Sequence, residues 1–379
     1  MGSPDDIITI YGVGDVCPDR ANPGSIFDYV ADVLGAGDVW FGQLEQNLSH
    51  TTVPHLRETG VTRDPRILAA ALNAAGIDVL SFASNHCMDD GEEALLETID
   101  YLKNEEINII GVGENIEEAR KPAIFNCKGK HIAFLAYNSV GKPDSWAQDN
   151  KPGCTPLRVW TLHEPIEPHQ PGTPAQPHTF PYKEDLAAMI TDIRNAKAKA
   201  DEVIVSMHSG IHVMPVTIAD YQIDIAHAAI DAGADLILQH HAHILKGIEV
   251  YKGKVIFYGL GNFAIEVHFM TGEWAESPGI KEIRRALNPD WHPPYPDYPS
   301  FPFPPDSRKT IIVKYVISNG SVNRVSFLPA LINRHSQPEI LSSDNSKFQE
   351  VVDYVDLISR ETGFNTSFSI DGDEVSIIT

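Results

Sequence analysis

A chain of 379 residues, 42% hydrophobic and 21% charged, has an ordinary globular composition with room for one large domain or two small ones. Its formal charge of −23 at pH 7 argues against general nucleic-acid or anionic-membrane binding, since both draw on a positive field. The acidic start Met1-Gly2-Ser3-Pro4-Asp5-Asp6 lacks the cationic start and apolar core of a signal peptide, and no stretch approaches the ~20 apolar residues of a membrane helix. Cys17, Cys87, Cys127 and Cys154 form no CxxC pair, so the expectation is a cytoplasmic protein with neither membrane anchor nor disulfide framework.

Strands and helices alternate from the first apolar run. Ile7-Ile8-Thr9-Ile10-Tyr11-Gly12-Val13-Gly14-Asp15 reads as a strand that stops at a glycine and delivers a carboxylate. A helix over 25–34 leads to a second strand over 39–44, which ends in Glu45. Asp64, a good cap followed by Pro65, starts a helix over 65–75. A strand over 79–83 runs into Asn85 and His86, and a helix from 89 to 103 follows with acids in its first turn. Further strands are expected over 107–112 and 131–137. Helices over 183–200 and 218–232 then alternate with strands ending at His208 and at Gln239-His240-His241. A hairpin is expected over 244–250 and 254–258 around Tyr251-Lys252-Gly253, and an antiparallel pair over 310–317 and 322–328 turning at Asn319-Gly320. The alternation argues α/β, and the late hairpins favour a sandwich of two mixed sheets covered by helices.

Two segments break the rhythm, giving a single domain over 1–379 with insertions at 141–181 and 266–308. The first carries Trp146, Trp160, His163, His169 and His178 among prolines; within the second, 288–305 interleaves prolines with Trp291, Tyr295, Tyr298, Phe301 and Phe303. Disordered segments lack aromatics, so both read as ordered insertions walling a substrate cleft, with a packed surface loop or subunit contact as the alternative.

Five strand ends thus deliver Asp15, Glu45, Asn85-His86, His208 and His241-Ala242-His243 to one sheet edge, and carboxylates beside neutral imidazoles suit a transition metal. Strand alternation allows His241 and His243 to share a face while His240 points away. His227, mid-helix among alanines, reads as structural; His212, just after the His-Ser-Gly turn, either faces the cleft or packs beside it. Asp89 and Asp90 read as acids favouring a helix start.

The motif order resembles the calcineurin-like metallophosphoesterases, and within them the CapA-like capsule-synthesis family. The matching pieces are Gly14-Asp15, Leu44-Glu45, Ser84-Asn85-His86-Cys87-Met88-Asp89-Asp90-Gly91, His208-Ser209-Gly210, Asp235 through His243, and Tyr258-Gly259-Leu260-Gly261-Asn262-Phe263. The resemblance implies a four-layer α/β/β/α sandwich and one or two divalent ions (Mn, Zn or Fe). Asp15, Glu45 and His243 would form one position, and Glu45, Asn85, His208 and His241 the other, with Glu45 bridging. His86, Glu45 and Asp15 would be the catalytic residues, and Asn262, His212 and Trp291 are candidates for substrate binding. Two departures weaken the first position: Asp15-Val16-Cys17 stands where the superfamily has Asp-x-His, and Glu45 where most members have Asp. Cys17 reads as a thiolate ligand or a space-filling thiol.

The leading expectation is a metal-dependent hydrolase acting on a peptide, amide or phosphoester through a metal-activated water, His86 aiding the leaving group. With no arginine cluster or glycine-rich phosphate cradle beside the site, a small-molecule or peptide substrate is favoured over a highly charged phosphate. The alternatives are a peptide epimerase using acid/base residues of the same cleft, or an accessory protein of poly-γ-glutamate synthesis.

Overall fold

The strand Ile8–Cys17, buried along most of its length, is the axis of a ten-stranded sheet. On one side Val39–Leu44, Val79–Ser81 and Asn108–Ile110 follow in parallel. On the other, Lys309–Ser318 pairs antiparallel with its first half, and Asn262–Ile265 pairs parallel with its end, aligning Asp15 with Asn262. Ser321–Ile332, Glu374–Ile378 and Ser367–Asp371 extend the sheet outward. The computed structural model describes residues 7–50, 64–268, 276–318 and 321–378. The start Met1 to Asp6, residues 269–275 of the second insertion and the Asn319-Gly320 turn lie outside the described residues.

A six-stranded sheet runs in the order Ile248–Tyr251, Lys254–Phe257, Leu236–His240, Glu202–His208, Lys130–Asn138, Ala123–Cys127, parallel except at its two outer strands. Alternation along its strands sorts side chains between two cores. Phe134, Ile204, Leu236 and Leu238 join the residues of the first sheet, with Phe134 stacked 5.9 Å from Phe41 across the gap. Leu135, Val203, Val205 and Ile237 point the other way, onto Met189 and Ile193 of the helix Lys183–Lys197 and Ile225 and Ala229 of Asp220–Ala232. Leu68, Leu72, Leu95 and Leu102, from Pro65–Ala74 and Gly91–Asn104, cover the first sheet. The layers are therefore helix, sheet, sheet, helix, as expected.

Local chemistry sets the boundaries. Asp64 accepts from Arg66 N at 2.9 Å and caps Pro65–Ala74, and Gly233, at φ 118°, ends Asp220–Ala232. The helix expected over 25–34 is instead a 3₁₀ turn, Pro23–Phe27, and a single α-turn, Ala31–Leu34, neither with a side-chain cap. The strand expected from 244 begins only at Ile248, because Leu245 bridges to Leu260 and Lys246 N donates to Gly259 O. In the first insertion, Val159–Pro165 and Ala175–Pro181 form a separate two-stranded ribbon.

Candidate metal centre

Each strand end is held by a specific local device. A Cβ on Gly14 would lie 2.1 Å from Gly261 O, so only glycine lets Asp15 N donate to that oxygen at 3.0 Å. Glu45 N donates to Val16 O at 3.0 Å. Past Val79–Ser81, His86 N donates to Ser84 Oγ and Asn47 Nδ2 donates to Cys87 O, both at 3.0 Å, fixing the turn that carries Asn85. His208 and His240 end neighbouring parallel strands in register. His241 and His243 lie beyond the strand, at φ 85° and 52°. Strand alternation therefore does not set their direction: a left-handed bend does, at about 1–3 kcal/mol for each such non-glycine residue. The bend is tied down where Asn262 Nδ2 donates to His243 O at 3.2 Å and Val213 N donates to Ala242 O at 2.8 Å.

These devices bring together the residues the sequence singles out. Asn85 Oδ1 lies 2.8 Å from His208 Nε2 and 3.2 Å from His241 Nδ1, and accepts from both rings. His208 Nδ1 is 3.3 Å from Glu45 Oε1, and His243 Nδ1 is 3.1 Å from Asp15 Oδ2 and 2.9 Å from Asn262 Oδ1. His212 joins them, its ring 4.0 Å from that of His241 and 5.3 Å from that of His243. His86 stands at the rim, its side chain 30% exposed, with Nε2 3.7 Å from Glu45 Oε2.

Burial sets the protonation states. It pushes the Glu45 carboxyl well above the ordinary range, with help from Asp15. It holds His208 and His241 well below the ordinary imidazole range, and His212 falls to about 3; neighbouring imidazoles add to each. Neutral imidazoles are what a metal requires. Among the described residues no three His, Cys, Asp or Glu side chains form a ready-made ligand group. The fit to a cation rests on the orphaned atoms: both carboxylate oxygens of Asp15, both of Glu45, and His208 Nδ1 are buried without a hydrogen-bond partner. With Nε2 of His208 donating to Asn85, the Nδ1 lone pair faces a carboxylate oxygen, an arrangement that only a shared proton or a cation relieves. The donor set fits a divalent ion.

Other residues fall elsewhere. Cys17 packs against the cluster of Ile265, Phe301 and Phe303, and its Sγ lies 3.9 Å from Glu266 O. Trp291, 7% exposed, donates Nε1–H to Pro302 O at 2.7 Å and braces its own segment. The ring of that segment at the site is Phe303, 4.7 Å from His243, and Asn288 Nδ2 donates to Val213 O at 2.8 Å. Asp89 acts beyond the helix start, its Oδ2 2.6 Å from His86 Nδ1; the spacing of three from His86 was the available signal. His240 turns between the sheets against Phe41, and His227, expected to be structural, pairs with Glu249.

The bacterial capsule synthesis protein family PGA_cap matches residues 6–266. The chain belongs to this family. Among PGA_cap relatives, the PGA biosynthesis protein CapA of Bacillus subtilis (strain 168) is 29% identical over 272 residues, covering 69% of this chain and 64% of that protein. The capsule biosynthesis protein CapA of Bacillus anthracis is 29% identical over 196 residues, covering 52% of this chain and 42% of the other. The chain thus spans less than two thirds of either relative. A solved structure, the calcineurin-like phosphoesterase YfkN from Bacillus subtilis, overlays at a TM-score of 0.42 and 13% identity, covering 94% of this chain and 97% of that one. Among the described residues of this PGA_cap member, no helix is long and apolar enough to cross a membrane.

Proposed function

We propose that the chain is a metal-dependent hydrolase acting on a peptide, amide or phosphoester. One observation carries this reading: the four orphaned carboxylate oxygens of Asp15 and Glu45, buried beside imidazoles of His208 and His243. Asp15, Glu45, Asn85, His208, His241 and His243 would hold one or two divalent ions. A bound divalent ion would supply a Lewis acid that acidifies water and draws charge from a carbonyl or phosphoryl oxygen.

The chain's own residues supply the rest. Asn262 orients the His243 ring through Oδ1 and its backbone through Nδ2. The Asp89 carboxylate accepts from His86 Nδ1–H and orients the ring, so that the imidazolium form could give its Nε2 proton at the rim to a leaving group and remain as the neutral Nδ1–H ring. Phe303 excludes water from one side of His243. The test is elemental analysis of the purified full chain together with hydrolysis assays in chelator; hydrolysis unchanged after complete metal removal would sink the reading.

A second reading, an accessory role in the synthesis of a capsule or poly-γ-glutamate polymer, is favoured by the family and by the names of its relatives. Disrupting the gene should lower polymer yield; unchanged polymer removes this reading and leaves the first standing.

A further inference from the structure

A cleft of about 740 Å³ opens at the base of the ribbon formed by Val159–Pro165 and Ala175–Pro181, with Arg120, Tyr137, Trp146, Arg158 and Tyr182 among its walls. It includes none of the candidate metal ligands, but it borders them: Ser139 in its lining donates its backbone N–H to His208 O at 2.9 Å.

The hydrogen-bond inventory of this cleft is lopsided. Arg120 donates Nε–H and Nη2–H to Asp192, both at 2.7 Å, and Arg158 donates the same pair to Asp185 at 2.8 and 2.7 Å. Asp192 also accepts from Tyr137 OH, and Asp185 from Arg158 N, so each carboxylate accepts three hydrogen bonds. Arg120 Nη2 takes Ala188 O as well. The Nη1 group of each arginine has no protein partner among the described residues, and the side chains are 31% and 44% exposed. What remains is a surplus of guanidinium donors, held in place by the buried Asp185 and the half-buried Asp192. The aromatic wall is also preformed. A Cβ on Gly141 would meet the Trp146 ring at 2.7 Å, so this glycine lets the indole lie against backbone, and one on Gly153 would meet Ala147 N at 2.5 Å, so the backbone that carries Trp146 is close-packed as well.

We propose that this cleft binds a small monocarboxylate carrying a flat organic group, with the carboxylate accepting from Nη1 of Arg120 and Arg158 and the flat group lying on Trp146. A carboxylate is the acceptor that planar guanidinium donors match best. Each guanidinium charge is already offset by its own acid, and Asp149 stands at the rim, so a single negative charge fits where a polyanion is repelled.

The probes are N-acetyl-L-phenylalanine and its primary amide, titrated calorimetrically into the full chain in excess chelator. The acid should bind about tenfold tighter than the amide, the value of one charge-assisted hydrogen bond. Trp146→Ala should weaken the acid by about three- to tenfold, and Arg158→Lys, whose ammonium can pair with Asp185 but which has no Nη1 donor for the ligand, should reduce the preference for acid over amide. His208→Ala should bind as the parent does, which separates this site from the metal centre and from the hydrolase reading. Equal affinity for acid and amide in the parent chain, no binding of either, or loss of binding in a His208→Ala chain whose circular dichroism and urea midpoint match the parent's, overturns the proposal. The parent comparison decides even if a variant misfolds.

Discussion

At the scale of single residues, His86 and His208 have imidazoles in different employment. His208 is wholly buried and hydrogen-bonded to Asn85, whereas His86 is at the rim and pairs with Asp89. On the hydrolase reading, His86→Ala should lower turnover by about 10²–10⁴-fold, the usual worth of a positioned acid, with metal content unchanged by elemental analysis. Asp89→Asn should act in the same direction but less, through the orientation of His86. His208→Ala should lose metal and activity together; equal metal loss in His86→Ala would make His86 a ligand. Lys246 makes a separate case. It is 2% exposed, donates to Met214 O and Thr217 O at 2.6 and 2.7 Å, and burial lowers its ammonium to about 7. Its unfolded value is ~10.4, so between about 7 and ~10.4 the unfolded chain binds more protons than the folded one. Stability contributed by this group therefore rises with pH through that window, by at most ~1.4 kcal/mol per pH unit, and is least favourable and flat below it. The difference in urea midpoint between the parent and Lys246→Met should shift progressively from pH 7 to 9.5; parallel profiles would show that Lys246 keeps an ordinary pKa.

At the scale of elements, the close crossing of Ile8–Cys17 with Asn262–Ile265 is the most demanding join. Gly14→Ala would drive a methyl to 2.1 Å from Gly261 O, a backbone atom that cannot swing away, whereas the same change at Gly42 meets Leu80 Cδ2 at an ordinary 3.4 Å. Gly14→Ala should cost about 3–5 kcal/mol or prevent folding, while Gly42→Ala stays within about 1 kcal/mol. Denaturant titration of the two variants checks this, and similar costs would show that the crossing is loose. This contrast also marks what the sequence could reveal. Apolar runs that stop at a glycine or polar residue made four of the strand ends and their side chains legible, because period-two burial and strand termination are local properties. The positive φ of His241 and His243 was not legible, since that bend is imposed by Asn262 and Val213 from distant parts of the chain. Phe303 escaped notice among the other aromatics of its segment for the same reason: only tertiary packing distinguishes it from Trp291.

At the scale of the whole molecule, the candidate centre lies on the seam between the two sheets. Asp15 lies near the end of a strand of the ten-stranded sheet and Glu45 and Asn85 follow two others; His208 ends a strand of the six-stranded sheet and His241 and His243 follow its neighbour. A cation held by both sets would tie the halves together while relieving the buried oxygens of Asp15 and Glu45. Ligand binding to the folded state alone stabilises by RT ln(1 + [L]/Kd), about 2.7 kcal/mol at a hundredfold excess over Kd, so the melting temperature should climb with added Mn, Zn or Fe and fall in chelator. The charge of −23 complicates the experiment, because any divalent cation screens an acidic surface. His208→Ala separates the two effects. It leaves the acidic surface intact and removes one ring from the centre, so its melting temperature should keep the shallow, nonspecific rise and lose the steep, saturable one. Identical metal titration curves for the parent and His208→Ala would mean that the cations act on the surface alone and that the seam between the sheets holds none.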